Sequence, residues 1–134
     1  MKEGESKFNY LIFGFSAVWI ASCVFLSLLF INEESTIMLI VFNLLFASLT
    51  FPLNGTLIRK ASLLLMGNII GLFWNYLFSL FAYTVAHHLG ESFSVLYIIL
   101  SPFVNLVWIV SFWSISLTAL ASSENRKVRL RLDN

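Results

Sequence analysis

The chain contains the stretch ASLLLMGNIIGLFWNYLFSLFAYTVA at residues 61–86, which holds 26 residues and no Asp, Glu, Lys or Arg. An α-helix rises about 1.5 Å per residue, and roughly 20 apolar residues cross the hydrocarbon core of a bilayer, which is about 30 Å thick. The stretch is therefore long enough to span a membrane as one helix. Its extra length predicts that this helix is tilted.

Three further stretches, residues 10–31, 36–57 and 92–123, also lack charged side chains and are long enough to cross a bilayer. None of them shows the strict apolar–polar alternation of a membrane β-strand. The sequence thus predicts an all-α, polytopic membrane protein in which residues 1–134 form a single domain, a bundle of four transmembrane helices. The predicted spans are about 10–31, 36–53, 61–86 and 94–121.

The composition excludes the main classes of soluble protein. Of the 134 residues, 59% are hydrophobic and 11% are charged, whereas soluble domains are about 45–50% apolar and about 25% charged. Too few charged residues are present to cover a surface in water. This excludes a soluble enzyme, a disordered chain and a nucleic-acid-binding protein, whose basic residues would cluster on a solvated face. The expected partner is the lipid bilayer, and no nucleic acid is expected.

The cations are sorted by segment, although the formal net charge is only +1. All eight Lys and Arg residues lie before the first span, between the second and third spans, or after the fourth span. Segments rich in Lys and Arg stay on the cytoplasmic side. The pattern predicts an integral protein of the cell (plasma) membrane with both termini in the cytoplasm. Residues 123–134 are then a basic cytoplasmic tail.

Two local features leave alternatives open. Pro102 either kinks one long helix that begins near residue 94, or begins a shorter span of residues 102–121, with residues 93–100 lying in the interface.

The sequence from Ile20 to Cys23 is similar to a bacterial lipoprotein cleavage site, although the apolar residues after it favour an intact helix. Cys23 is the only cysteine, so no intramolecular disulfide is expected.

Small and polar residues recur on one face of each predicted helix, at helical spacing. In the third helix Gly67, Gly71, Asn75 and Ser79 follow one another at steps of four. Lipid-facing surfaces are apolar, so this face is expected to pack, either within the chain or against a partner or a second copy. The corresponding sets are Ser16, Cys23 and Ser27 in the first helix, Thr36, Asn43, Ala47, Thr50 and Asn54 in the second, and Ser111, Ser114, Thr118 and Ser122, with Ser101 and Asn105 as another face, in the fourth.

Three asparagines, Asn43, Asn75 and Asn105, fall near the predicted midpoints of their spans. Their amides either bond between helices or together form a midplane polar site for a sugar or a lipid headgroup. No Asp, Glu, Lys, Arg or His lies inside a predicted span, and proton relays, ion-coupled carriers and intramembrane proteases need such groups. We therefore predict no enzymatic activity, no catalytic residue, no metal site and no cofactor.

Charged residues at the span ends supply two further candidates. His87 and Glu91 have the spacing of a metal-binding pair on one helix, although an ordinary helix end is the favoured interpretation. At the other end, a basic cytoplasmic patch either fixes the topology or docks a partner protein or a phosphate headgroup. This patch comprises Arg59, Lys60, Arg126, Lys127, Arg129 and Arg131.

With this topology, the chain resembles the GtrA-like family of small four-helix membrane proteins. The similar positions are Phe13 and Gly14 in the first helix, Asn43 and Asn54 in and after the second, residues 67–75 in the third and Asn105 in the fourth. The family tends to carry an Asn-Arg pair at the ends of the second and fourth helices, whereas here Gly55 follows Asn54. The resemblance implies a role in moving polyprenyl-phosphate-linked sugars across a membrane.

Together these features favour a non-catalytic protein that acts as an accessory or structural subunit of a larger membrane assembly. Its partner would be another membrane protein or a second copy of the chain. The alternative is a GtrA-like flippase or carrier for polyprenyl-phosphate-linked sugars that works through the midplane amides. A holin-like pore is the third interpretation, and it is disfavoured because a pore needs a wet face that three isolated amides do not make.

Overall fold

The computed structural model describes residues 2–133, and within that range the chain is all α-helical, as predicted. Four helices follow one another: α1 (Lys2–Phe30), α2 (Glu33–Leu49), α3 (Leu57–Leu89) and α4 (Glu91–Leu132). They form a bundle in which α3 contacts each of the other three. Helices α1, α3 and α4 are long and apolar enough to cross a membrane, whereas α2 is shorter, with 17 residues.

The helices α1 and α4 extend past their predicted spans at the charged ends. Helix α1 begins at Lys2, and α4 continues to Leu132 through most of the predicted basic tail. The prediction located spans by the absence of charge. Lys, Arg and Glu are nevertheless good helix formers, so a charged residue ends a membrane span without ending the helix.

The turn between α1 and α2 is held by a helix cap. The side-chain oxygen of Asn32 accepts a hydrogen bond from the backbone N–H of Ser35 (2.8 Å), which satisfies one free donor of the first turn of α2. Glu33 and Glu34 occupy that turn, where the positive end of the helix dipole stabilises carboxylates. Helix α2 therefore begins at Glu33, three residues before the predicted span.

The connection between α2 and α3 folds around Lys60. Helix α2 ends at Leu49, earlier than predicted, and turns follow up to Gly55. Lys60 is only 7% exposed, and its Nζ donates hydrogen bonds to the carbonyl oxygens of Phe51 (2.6 Å) and Leu53. Phe51 and Leu53 lie in the turn after α2, so Lys60 ties the first turn of α3 to that turn and satisfies backbone acceptors there.

Helix α4 runs without a break through Pro102. The chain therefore forms one long helix on both sides of Pro102, and the choice between a span from about residue 94 and one from residue 102 stays a prediction. Residues before the proline pack on α3, since Phe93 is buried and the Tyr97 ring stacks on Phe78 at 5.6 Å between centroids. Gly90, with a φ of 63°, makes the sharp turn between α3 and α4.

The buried core is aromatic and lies between α2, α3 and α4. Phe42 is at its centre, with ring centroids 5.0 Å from Trp108 and 5.7 Å from Phe112. Aromatic pairs at these distances add roughly 0.5–1.5 kcal/mol each beyond the burial of their area. The cluster comprises Phe42, Phe46, Leu64, Trp108, Ile109 and Phe112.

The cations gather at one end of the bundle, which we call the cationic end. Phe8, next to Lys7, lines a cleft together with Ile58 of α3. Arg59 of α3 and Arg126 of α4 line one groove. The sequence-based sorting of charge by segment therefore corresponds to a real clustering in space.

At the opposite end, α4 extends beyond the start of α2. The hydroxyl of Ser101 donates a 2.5 Å hydrogen bond to a carboxylate oxygen of Glu34, in the first turn of α2. Helix α4 begins at Glu91, ten residues before Ser101. At a rise of 1.5 Å per residue, α4 projects roughly 15 Å beyond that first turn.

Helix α3 projects in the same direction. Asn43 of α2 bonds to Asn68 of α3, and these helices run antiparallel, so the start of α2 lies level with about residue 77 of α3. Helix α3 then continues to Leu89, which is roughly 18 Å further at the α-helical rise. Residues 78–99, named here the protruding hairpin, therefore stand beyond the α1–α2 turn.

Candidate functional site

The glycines of the predicted stripe on α3 make room for the aromatic core. A Cβ atom built on Gly67 would lie 2.7 Å from the Phe112 ring and in still closer contact with Phe42, and one built on Gly71 would lie 2.6 Å from Trp108. Asn75 is also buried and Ser79 is half-buried. The two glycines of this face are thus used for packing within the chain, the first of the two interpretations.

The predicted midplane asparagines occupy two levels of the bundle. Asn43 and Asn68 form a reciprocal amide pair, in which each Nδ2 donates to the other's Oδ1 at 2.8 Å. Asn75 lies seven residues further along α3 than Asn68, which is roughly 10 Å at the α-helical rise. The structure therefore joins Asn43 to Asn68, a residue outside the predicted set, and not to Asn75.

We expect the Asn43–Asn68 pair to show a measurable coupling energy. Each Nδ2 also donates to the carbonyl four residues earlier, of Leu39 or Leu64, so replacing either asparagine with Leu leaves the Oδ1 of its partner without a donor. Replacing both removes the two buried amides together. A double-mutant cycle of Asn43→Leu and Asn68→Leu should give a coupling of about 0.6–1.7 kcal/mol. Unfolding in mixed detergent micelles measures it, and additive effects of the two changes would contradict the pairing.

Asn75 and Asn105 are two of the six described residues with a buried polar side-chain atom that has no hydrogen-bond partner. Asn75 Nδ2 donates to the carbonyl of Gly71 (2.8 Å), but its Oδ1 has no partner among the described residues. The same holds for Asn105 Oδ1 and for the indole N–H of Trp108. A buried polar atom without a partner costs about 1–3 kcal/mol, so these atoms are free to take part in a further hydrogen bond.

A cationic groove lies between the first turns of α3 and the last turns of α4, with a volume of about 450 Å³. Arg59, Arg126 and Lys127 line it, and none of the described residues in its lining is acidic. Ser62 and Ser122 supply hydroxyl groups. The remaining lining residues are apolar: Leu63, Met66, Ala119 and Leu130. This groove combines positive charge, hydroxyl groups and an apolar floor in one place.

The predicted basic patch divides into three parts in the structure. Arg59, Arg126 and Lys127 line the groove. Lys60 is buried and binds the carbonyls of the α2–α3 turn, so it adds no charge to an exposed surface. Arg129 and Arg131 are exposed near the end of α4 and do not line the groove.

The face of α4 that is buried in the bundle is not the one that carries its longest predicted stripe of small and polar residues. Ser101 and Asn105 are buried, as expected, together with Ser116. The hydroxyl stripe points outward instead, because the same helix uses its Trp108 and Phe112 face to fill the space over the α3 glycines. The exposed members of this outer stripe are Ser111, Ser114, Thr118 and Ser122.

The polar contact that sequence analysis missed is the one made by Glu34. In the sequence this residue lies between the first and second predicted spans, and nothing there indicates a contact with the fourth helix. In the structure its carboxylate is half-buried and bonds to Ser101, ten residues inside α4. Only the relative depth of α2 and α4 reveals this contact, and no sequence pattern reports that depth.

The histidine pair at the tip of the protruding hairpin is separated from Glu91. Helix α3 ends at Leu89, and Gly90 turns the chain before Glu91 begins α4. His87 and Glu91 are therefore not one turn apart on a single helix. The Nδ1 atom of His88 lies 2.9 Å from the carbonyl oxygen of Thr84. Within residues 2–133 no group of three metal-ligating side chains is assembled.

Comparison with known proteins does not identify a relative. No family model matches the chain, and no curated protein or solved structure matches it. The resemblance to the GtrA-like family stays a prediction from the residues quoted above.

Proposed function

We propose that this protein is a non-catalytic subunit of a membrane assembly, that it spans the bilayer four times, and that both termini lie on the cytoplasmic side. The cationic end supports this orientation, because Lys- and Arg-rich segments remain in the cytoplasm. The observation that carries the subunit role is the offset between the two helix hairpins. Because of this offset, no single position of the bilayer suits both the acidic first turn of α2 and the apolar protruding hairpin. A partner protein that covers the hairpin removes this difficulty.

In the first bilayer position, the acidic residues Glu33 and Glu34 lie at the membrane surface. Helix α1 and the part of α3 that packs beside it already extend far enough to cross a hydrocarbon core of about 30 Å. If Glu33 and Glu34 lie at the far surface of that core, the protruding hairpin stands roughly 15 Å above it. Its exposed apolar side chains would then lie in water. They include Leu80, Phe81, Tyr83, Val95, Leu96, Ile98 and Ile99.

In the second bilayer position, the hydrocarbon core covers the protruding hairpin. Glu33 and Glu34 would then lie inside the hydrocarbon, where an acidic side chain costs roughly 2.5–3.5 kcal/mol on insertion scales. A large exposed apolar surface on a protein commonly marks an interaction site. A partner that covers the protruding hairpin keeps the carboxylates at the surface and the apolar side chains out of water.

The outer stripe of α4 supports the same proposal. Its hydroxyl-bearing residues face away from the bundle, where lipid contact would favour Leu, Ile or Val. Small residues such as Ser111 and Ser114 let a second helix approach closely, and hydroxyl groups bond across such contacts. A partner helix that lies along α4 would therefore contact both this stripe and the protruding hairpin.

Pairs of matched variants test the subunit role. The tagged chain, solubilised in mild detergent from its native membrane, is expected to run in a complex larger than its own 15.3 kDa with a partner at fixed stoichiometry. The double variant Phe81→Ser with Ile98→Ser should lose most of that complex, at least about tenfold, because it places hydroxyls in a desolvated apolar contact. Native gel mass and quantitative mass spectrometry measure the change.

The matched control changes two equally exposed residues outside the protruding hairpin. Phe25 and Leu44 are 59% and 63% exposed, and Phe81 and Ile98 are 59% and 69% exposed. The variant Phe25→Ser with Leu44→Ser should keep the complex. A wild-type chain that purifies alone, or equal losses in the two double variants, would contradict the proposal.

A further inference from the structure

We propose that the cationic groove binds the phosphate headgroup of an anionic membrane lipid, with a phosphomonoester such as phosphatidic acid as the best match. This site is independent of the proposed partner, since it lies at the cationic end and the protruding hairpin lies at the other. It requires only that the cationic end meets a membrane surface.

The two walls of the groove carry the same order of side chains. On α3 the order toward the bundle centre is Arg59, Ser62 and Met66, at steps of three and four residues. On the antiparallel α4 it is Arg126, Ser122 and Ala119, at steps of four and three. Such steps place each set on one helix face. The two walls are offset, because Gly67 lies against Phe112 and Gly71 against Trp108, which sets Arg59 level with about residue 120 and Arg126 roughly 9 Å nearer the cationic end. Each wall therefore runs from a cation through a hydroxyl to an apolar residue at its own depth, and Leu130 adds an apolar side chain beside the cations.

That order matches the chemistry of a phospholipid along its own axis. The phosphate would lie between Arg59 and Arg126, near Ser122, whose level falls between theirs, and the first part of an acyl chain would follow Leu63 and Met66. The Ser62 hydroxyl already donates to the carbonyl of Ile58, so the free hydroxyl donor is Ser122. Free phosphate would leave the apolar floor unused, which is why the geometry favours a lipid.

The charge in the groove favours a headgroup with a high negative charge. Three cations line it without an acidic residue among the described lining. Glu124, the nearest acid along α4, instead accepts a hydrogen bond from Asn54 (3.4 Å). Arginine binds phosphate in a bidentate manner, and the positive end of the α3 dipole adds to the field at Arg59. A zwitterionic headgroup would bring its own cation into this site.

Lipid exchange on the full-length chain tests the site. The purified protein is mixed with equimolar phosphatidic acid and phosphatidylcholine of the same acyl chains, and bound lipid is measured by native mass spectrometry. The wild type should retain phosphatidic acid preferentially. Each basic residue near an anionic lipid contributes roughly fivefold in affinity, so the variant Arg59→Gln, Arg126→Gln, Lys127→Gln should lose at least about tenfold of that preference.

A control variant that loses the same number of cations outside the groove distinguishes specific binding in the groove from general electrostatic attraction of anionic lipid to the cationic end. The variant Lys7→Gln, Arg129→Gln, Arg131→Gln removes three cations from the same end but none from the groove, and it should lose less than about threefold, because salt screens exposed charges that do not contact the bound phosphate. The variant Ala119→Trp removes no charge and fills the floor, and it should also lose the preference. Equal losses in the two triple variants, or an unchanged preference in Ala119→Trp, would overturn the proposal.

A competition experiment distinguishes the source of the phosphate. Millimolar inorganic phosphate should leave phosphatidic acid bound, because it cannot use the apolar floor. Displacement of the lipid by inorganic phosphate would show that the groove recognises phosphate alone and would overturn the lipid assignment. Circular dichroism and gel filtration of each variant confirm that the bundle is folded before binding is compared.

Discussion

We expect Gly67→Leu to destabilise the bundle by about 3 kcal/mol or more, since overpacking a well-packed core typically costs about 1–3 kcal/mol and here the new atoms meet two rings. The first added carbon would lie 2.7 Å from Phe112 and in closer contact with Phe42. Neither ring can move far, because both belong to the buried aromatic cluster. Unfolding by sodium dodecyl sulfate in mixed micelles, followed by circular dichroism, measures the change.

Gly14→Leu is the matched control for this prediction. A Cβ at Gly14 meets no atom within 4 Å, and the residue is exposed on α1. Both changes gain up to about 1 kcal/mol of helix propensity, so their difference isolates the packing effect. If Gly67 served a contact between copies instead, Gly67→Leu would change the oligomeric state and leave the stability of the monomer near that of Gly14→Leu.

The second large effect is expected for Lys60→Met, which should lower the free energy of unfolding by about 2–3 kcal/mol. Methionine fills a similar volume but cannot donate to the carbonyls of Phe51 and Leu53, which Lys60 Nζ binds. Hydrogen bonds to a charged group contribute about 1.5–3 kcal/mol. The same mixed-micelle unfolding experiment measures the loss.

Arg59→Met provides the comparison for Lys60→Met, since it removes the neighbouring cation. Arg59 is exposed, and surface substitutions usually change stability by less than about 0.5 kcal/mol. The measurement is made in neutral detergent without anionic lipid, so that binding in the cationic groove adds nothing. Equal effects of the two substitutions would show that Lys60 acts only through its charge and not through the turn it closes.

The fold class and the number of helices were predictable because the hydrophobic effect acts on long runs of residues. Residues 61–86 lie inside α3, and each of the other charge-free stretches corresponds to one helix. The helix ends were less predictable. Glu33 begins α2 through the cap made by Asn32, and this depends on local hydrogen bonds that hydrophobicity does not describe.

The candidate site was predictable only in part, because helical spacing defines faces without choosing between them. The stripe of Gly67 and Gly71 is buried as expected, since α3 contacts every other helix. The stripe that contains Ser114 faces outward, because the larger side chains of α4 fill the space over those glycines. Helical periodicity shows which residues share a face, but the packing of the helices against one another determines which face is buried.

The sequence alone established what depends on composition and local order: a helical membrane chain, the sorting of its cations and the faces of its helices. The tertiary structure decided what depends on the relative depth of helices. The relative depth of the helices pairs Asn43 with Asn68 and brings Glu34 to Ser101. It also buries Lys60, leaves Arg59 in the cationic groove, and makes one hairpin longer than the other. The physical reason is that helix offset follows from steric fit between side chains far apart in sequence, such as Gly67 and Phe112.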